Sequence, residues 1–66
     1  MEIIINGETR TVKEDTRLGK LLDEMGLREK VMAAAVNMEI VKQDLWDTHE
    51  LHNNDRLELL DFVGGG

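Results

Sequence analysis

Met1-Glu2-Ile3-Ile4-Ile5-Asn6-Gly7-Glu8-Thr9-Arg10-Thr11-Val12 opens the chain, and the architecture turns on how this stretch is read. Ile3-Ile4-Ile5 is a β-branched apolar run, the composition of a strand. Asn6-Gly7 supplies two residues that accept positive φ, as a type I′ hairpin turn requires. Glu8 to Val12, with β-branched Thr9 and Thr11, is the return strand. Across such a turn Val12 shares a face with Met1, Ile3 and Ile5. Glu8 and Arg10 share that face too, and their charges do not suit a buried surface. The return strand is therefore predicted at a sheet edge, or with a bulge at its turn.

Downstream of the hairpin the apolar period lengthens from two to between three and four. Leu18, Leu21, Leu22 and Met25 form one stripe of a helix, with Arg17, Lys20, Asp23 and Glu24 on the wet side. Thr16 is the expected N-cap, with Asp15 near the positive end of the helix dipole. Gly26 is placed to end the helix in a left-handed conformation. Gly19 lowers helix propensity by up to about 1 kcal/mol against Ala. Val31 to Asn37 reads as a strand, with Met32, Ala34 and Val36 on one face and Val31, Ala33 and Ala35 on the other. Apolar character on both faces implies cover on both sides, or one face awaiting a partner. Glu39 to Lys42 is a short strand. Gln43 to Asp47 is a helical turn or irregular loop, and Trp46 caps one edge of the core. His49 to Asp55 is a loop, and Arg56 to Phe62 is the last strand. Leu57 and Leu59 point inward from it, and Leu60 and Phe62 point outward.

The order, ββα and then ββ, gives an α+β layer. With the final strand beside the first, this is a ubiquitin-like β-grasp arrangement: a mixed sheet of four to five strands with one helix across one face. Ile3, Ile5, Leu18, Leu21, Leu22, Leu57 and Leu59 are the expected core. The domain is assigned to residues 1–63 and a flexible glycine tail to residues 64–66.

The 66 residues suffice for one domain with a small core. With no cysteine there is no disulfide framework, no thiolate metal site and no thiol with which to carry sulfur. The apolar run Val31 to Val36 is too short to span a bilayer, and no signal pattern opens the chain, so a cytoplasmic protein is expected. Net charge is −6, from 14 acidic and 8 basic side chains, which opposes non-specific nucleic-acid binding and suits a basic partner. One Trp and one Phe provide no stacking platform for bases.

Within this chain little points to catalysis. His49 and His52 have Asp47 and Glu50 nearby, but no third ligand is fixed by spacing, so they are read as exposed loop residues and no metal site is assigned. No nucleophile elbow or phosphate-cradling loop is present. The distinctive group is the carboxylate of Gly66, at the end of Phe62-Val63-Gly64-Gly65-Gly66. Three glycines reach roughly 10 Å when extended and have no side chains to obstruct a narrow channel. Adenylation by ATP would give that carboxylate a good leaving group, and attack by a sulfur donor would then yield a thiocarboxylate.

The Ile-rich strand ending in Asn6-Gly7, Leu18-x-x-Leu21-Leu22, Ala34-Ala35-Val36-Asn37, Glu39-Ile40-Val41, Trp46, Asp55-Arg56-Leu57-Glu58 and the terminal glycines together resemble the ThiS family of thiamine-biosynthesis sulfur carriers, within the ubiquitin-like ThiS/MoaD group. The resemblance covers essentially the whole chain. It implies a protein cosubstrate rather than an enzyme, with no bound cofactor and with ATP used by the activating partner. It implies three partners: a ubiquitin-activating-like adenylyltransferase (ThiF), a cysteine-desulfurase-type sulfur donor, and thiazole synthase (ThiG). Gly66 is the adenylated and sulfur-carrying terminus, Gly64 and Gly65 thread into partner active sites, and Leu60, Phe62 and Val63 are expected partner contacts. The isolated chain is expected to be a monomer. Met38 stands where many members have Gly after Asn, so a different turn is predicted there. Alternatives are the small subunit of molybdopterin synthase, a ubiquitin-like protein modifier, or a β-grasp binding module with an irrelevant tail. The short chain and Phe62-Val63 favour the thiamine branch.

Overall fold

A computed structural model of the chain describes residues 1–61. Its elements are β1 (Glu2–Ile5), β2 (Glu8–Thr11), α1 (Leu18–Glu24), β3 (Val31–Val36), β4 (Glu39–Val41), a 3-10 turn (Gln43–Leu45) and β5 (Arg56–Asp61). The strands form one mixed sheet in the order β2-β1-β5-β3-β4. β5 lies parallel to β1 and antiparallel to β3, so the last strand occupies the centre. Pairing at the centre continues through Ile4 N–H to Asp55 C=O and Asn6 N–H to Leu57 C=O, both 2.9 Å. β2 is an edge strand, exposed along its whole length as the charges at Glu8 and Arg10 demand.

One face of the sheet is closed by α1. Ile3, Ile5, Leu18, Leu21, Leu22, Leu57 and Leu59 are all buried, as the sequence pattern predicts. They are joined by Val12, Ala34, Val41, Trp46 and Leu51. The Trp46 indole lies wholly inside and donates to Val41 C=O at 2.9 Å, so its one polar atom is satisfied where its large ring is buried.

The helix begins differently from the sequence expectation. Its N-cap is Arg17, without a side-chain cap, not Thr16. The Thr16 hydroxyl instead turns back to donate to Lys13 C=O at 2.8 Å. Two leading helix N–H groups, Leu18 and Gly19, donate to His49 C=O at 2.9 Å and Trp46 C=O at 2.8 Å. Backbone from a distant loop thus does the work of a cap. At the other end Gly26 has φ +70, the left-handed stop its position predicts.

Gly19 is where helix and loop come closest. A Cβ there would collide with the Asp47 carboxylate and sit 2.6 Å from Arg28 Nη2. Arg28 bridges Asp47 and Asp23, donating to one oxygen of each at 2.6 Å. Hydrogen bonding from Arg28 holds the Asp23 carboxyl below its ordinary value of 3.8. The contribution of Asp23 is therefore present above that value and lost as pH falls through the lower folded one.

In β3 the strict alternation expected from the sequence is broken by a register shift between Val31 and Ala33. Val31 is consequently buried along with Ala34 and Val36, while Met32 faces solvent. The sequence expectation of an altered turn at Asn37-Met38 is also corrected. Val36 pairs with Glu39 across a two-residue turn in which Asn37 has φ +51 and Met38 φ +72. A non-glycine residue in this region costs about 1 kcal/mol or more.

Asn37 holds that turn in place. Its N–H donates to Arg56 C=O (2.8 Å), its Oδ1 accepts from Arg56 N–H (3.0 Å), and its Nδ2 donates to Asp55 Oδ1 (2.9 Å). Asn6 does the equivalent from the other hairpin. Its Oδ1 accepts from Leu59 N–H at 2.9 Å and its Nδ2 donates to Leu59 C=O at 3.4 Å. A side-chain amide thus imitates a peptide unit where β1 has ended, and both hairpin asparagines grip the central strand.

Two stability measurements check these readings. Asn6→Gly keeps the permitted positive φ but deletes the grip on Leu59, and should destabilise by about 1–2 kcal/mol in urea unfolding. A loss below about 0.5 kcal/mol would remove the side chain from the account. Gly19→Ala should give little or no gain in the parent chain, because its Cβ displaces Asp47. In an Asp47→Ala background the same change should stabilise by up to about 1 kcal/mol through helix propensity. Equal effects in both backgrounds would mean that Asp47 does not constrain Gly19.

Candidate functional site

The sheet face opposite α1 is built from alternate residues of β3, β4 and β5. Register places Ala35 between Ile40 and Glu58, and Ala33 opposite Leu60. Two alanines in the middle and longer side chains on either side leave a trough of about 300 Å3, lined by Ala33, Ala35, Ile40, Glu58 and Leu60. Ile40 is 68% and Leu60 65% exposed, and Met32 and Met38 add further exposed apolar surface. Scattered apolar residues are ordinary on a protein surface, whereas a contiguous set flanking a groove marks an interaction face. Among the described residues Glu58 is the one ionisable side chain lining the trough.

In sequence, the glycine terminus follows the central strand. Leu60 is exposed on β5, facing outward as the alternation of that strand predicts, next to its last described position. Phe62, Val63, Gly64, Gly65 and Gly66 lie outside the described residues. Of the contacts expected from the sequence, Leu60 lines this trough; Ile40 and the alanine floor were not among them. A signal for them was present: Ile40 alternates with the core residue Val41, and Val31 to Val36 is apolar on both faces.

A second concavity, of about 210 Å3, lies between Met1, Glu14, Arg17, Glu50 and His52. Its ionic groups largely satisfy one another. The Met1 ammonium is 3.3 Å from Glu14, and Arg17 is 3.5 Å from Glu50. His52 is solvent-exposed, with Nδ1 3.9 Å from Asp55 Oδ2, and its backbone N–H donates to the same carboxylate at 2.7 Å. The His49 backbone carbonyl serves the helix. Among the described residues no three His, Cys, Asp or Glu side chains gather as metal ligands. No helix there is long and apolar enough to cross a membrane.

A five-stranded mixed sheet with its last strand at the centre, one covering helix and an open apolar face defines a ubiquitin-like β-grasp protein. Comparison with known proteins narrows this. The chain belongs to the ThiS family, whose model matches residues 3–66. It is 26% identical to the sulfur carrier protein ThiS of Escherichia coli over the full length of both. A crystal structure of the thiamine biosynthesis protein ThiS from Geobacter metallireducens superposes with a TM-score of 0.83 at 28% identity, covering all of both chains. The chain is also 33% identical over its whole length to part of a thiazole synthase from Paramagnetospirillum magneticum, spanning 20% of that protein. A thiazole synthase from Magnetococcus marinus matches likewise at 30% identity, again over 20% of its length.

Proposed function

We propose that this chain is a sulfur carrier for thiazole formation in thiamine biosynthesis, a cosubstrate acted on by partner enzymes. The observation that carries the reading is a family match that runs through residue 66 and so includes Gly64, Gly65 and Gly66. Full-length similarity to a sulfur carrier supports it. Thiazole synthases that contain a segment like this chain support that enzyme class as the sulfur acceptor.

The chemistry follows from the carboxylate. A carboxylate resists nucleophiles because its charge is delocalised and its leaving group would be oxide. An oxygen of the Gly66 carboxylate attacks the α-phosphate of ATP in the activating enzyme, releasing pyrophosphate and forming an acyl-adenylate. The terminal sulfur of a persulfide on a desulfurase-type donor attacks the carbonyl and expels AMP, leaving an acyl disulfide. A thiol reductant then attacks the donor-side sulfur, forming a disulfide with it and releasing the C-terminal sulfur as thiolate. The resulting thiocarboxylate is the form that delivers sulfur to thiazole synthase. Leu60, with Phe62 and Val63, seats the carrier on its partners, and Gly64 and Gly65 carry Gly66 into their channels. The chain needs no cysteine for this work, which suits a cytoplasmic setting.

Intact mass spectrometry after incubation with activating enzyme, ATP and sulfur donor tests the reading. The full chain should gain about 16 Da, one oxygen replaced by sulfur. Gly65→Val should leave the unfolding transition nearly unchanged yet block the gain, because a β-branched side chain narrows the backbone choices and obstructs the channel. Full conversion in a chain truncated after Val63 would sink the sulfur-carrier reading.

A further inference from the structure

Asn6-Gly7 is the one asparagine–glycine pair in the chain, since Asn37, Asn53 and Asn54 are followed by Met38, Asn54 and Asp55. An asparagine is chemically labile when the next backbone nitrogen can attack its side-chain carbonyl carbon, and a following glycine leaves that nitrogen least obstructed. Nothing in its surroundings shields the pair from solvent. Both residues are exposed, and a Cβ at Gly7 would meet no atom beyond its chain neighbours within 4 Å. Water and base reach this peptide freely, so burial does not preserve Asn6.

Geometry preserves it instead. Asn6 has φ +48 and Gly7 φ +88. In the left-handed region the next nitrogen lies nearly opposite the residue's own Cβ, whereas ring closure needs the two on the same side. The side chain is held as well. Its Oδ1 accepts from Leu59 N–H at 2.9 Å, and its Nδ2 donates to Leu59 C=O at 3.4 Å. The carboxamide is thus turned sideways onto β5, out of reach of Gly7 N until that grip opens. The β1–β5 ladder ends at Ile5–Leu57, and Asn6 supplies the next two bonds along that edge of β5. Release of Asn6 and local opening of the strand are therefore one event.

We propose that Asn6 is a deamidation site latched by the fold and opened when β5 parts from the first hairpin. On release, Gly7 N attacks Cγ and gives its proton to solvent base. The Cγ–Nδ2 bond breaks, and ammonia leaves after taking up a proton from solvent. The product is a cyclic succinimide. Water then adds at one of its two carbonyl carbons and opens the ring, giving aspartate or isoaspartate at position 6. Neither restores the grip. The aspartate carboxylate has no N–H for Leu59 C=O and turns a negative charge toward that oxygen. Isoaspartate routes the main chain through the side-chain carbons and lengthens the turn by one methylene. The modification is a one-way record of opening in the central strand, and it stands independently of the sulfur-carrier reading.

Peptide mapping by mass spectrometry of the full chain, aged in mildly alkaline buffer, reads the reaction as a gain of about 1 Da at Asn6, ammonia lost and water gained. Aging in guanidinium chloride above the unfolding midpoint should raise the rate about tenfold or more over the native chain. Below the midpoint, deamidation and hydrogen exchange of Leu59 N–H should accelerate together as denaturant is added. Equal rates in the folded and unfolded chain would overturn the latch. So would deamidation that rises while Leu59 N–H stays protected, since the turn would then open without β5. An unfolded chain that keeps Asn6 intact would overturn the site itself. Asn6→Asp reads the consequence separately. Its denaturation midpoint should lie below that of the parent, and an unchanged midpoint would overturn the claim that the product loosens the strand.

Discussion

Parallel pairing of the first strand with the last is the constraint on which the rest of the molecule depends. β1 and β5 meet at Ile4–Arg56 and Ile5–Leu57, residues from opposite ends of the described chain. Loop-closure entropy opposes such a contact, and only burial and hydrogen bonding gained along the whole strand offset it. The chain supports the pairing from both sides. Asn6 extends β1 sideways onto Leu59, and Asn37 ties the β3–β4 turn to Asp55 and Arg56. Asn53 accepts from Glu2 N–H at 2.7 Å and so anchors the loop that delivers β5. With β5 fixed, Leu57 and Leu59 face α1, and the opposite parity presents Glu58 and Leu60.

The packed core and the open apolar trough therefore sit on opposite faces of one sheet. The helix side holds the large buried side chains, Trp46, Ile3, Leu18, Leu22 and Leu57, and its rim carries the Arg28 bridge to Asp23 and Asp47. The other side has small residues at its centre and exposed Ile40 and Leu60 at its margins. Burying that second face would add to stability, since each apolar Å2 removed from water is worth about 25 cal/mol.

Much of this was legible in the sequence because the signals were local. Ile3-Ile4-Ile5-Asn6-Gly7 specified strand and turn together, and the Leu18, Leu21, Leu22 stripe gave the helix its inward face. Alternation in Arg56 to Phe62 put Leu60 outside. What escaped notice depends on contacts distant in sequence. The helix is capped by carbonyls of Trp46 and His49, which no local pattern announces, and Thr16 is drawn to Lys13 instead. The bulge after Val31 inverts the facing of Met32, although its sequence is an unbroken apolar run. Met38 was expected to alter its turn. Asn37, bonded to a strand almost twenty positions away, keeps the turn and leaves Met38 in the left-handed region. The trough emerges only when β3, β4 and β5 are side by side.

Methyl-group NMR of the carrier titrated with thiazole synthase most directly tests the division of the molecule into a structural and a recognition face. Signals of Ala33, Ala35, Ile40 and Leu60 should shift or broaden together, while those of Leu18, Leu21 and Leu22 beneath α1 stay in place. Changes centred on the α1 side, with the trough methyls unmoved, would contradict docking through the open face of the sheet.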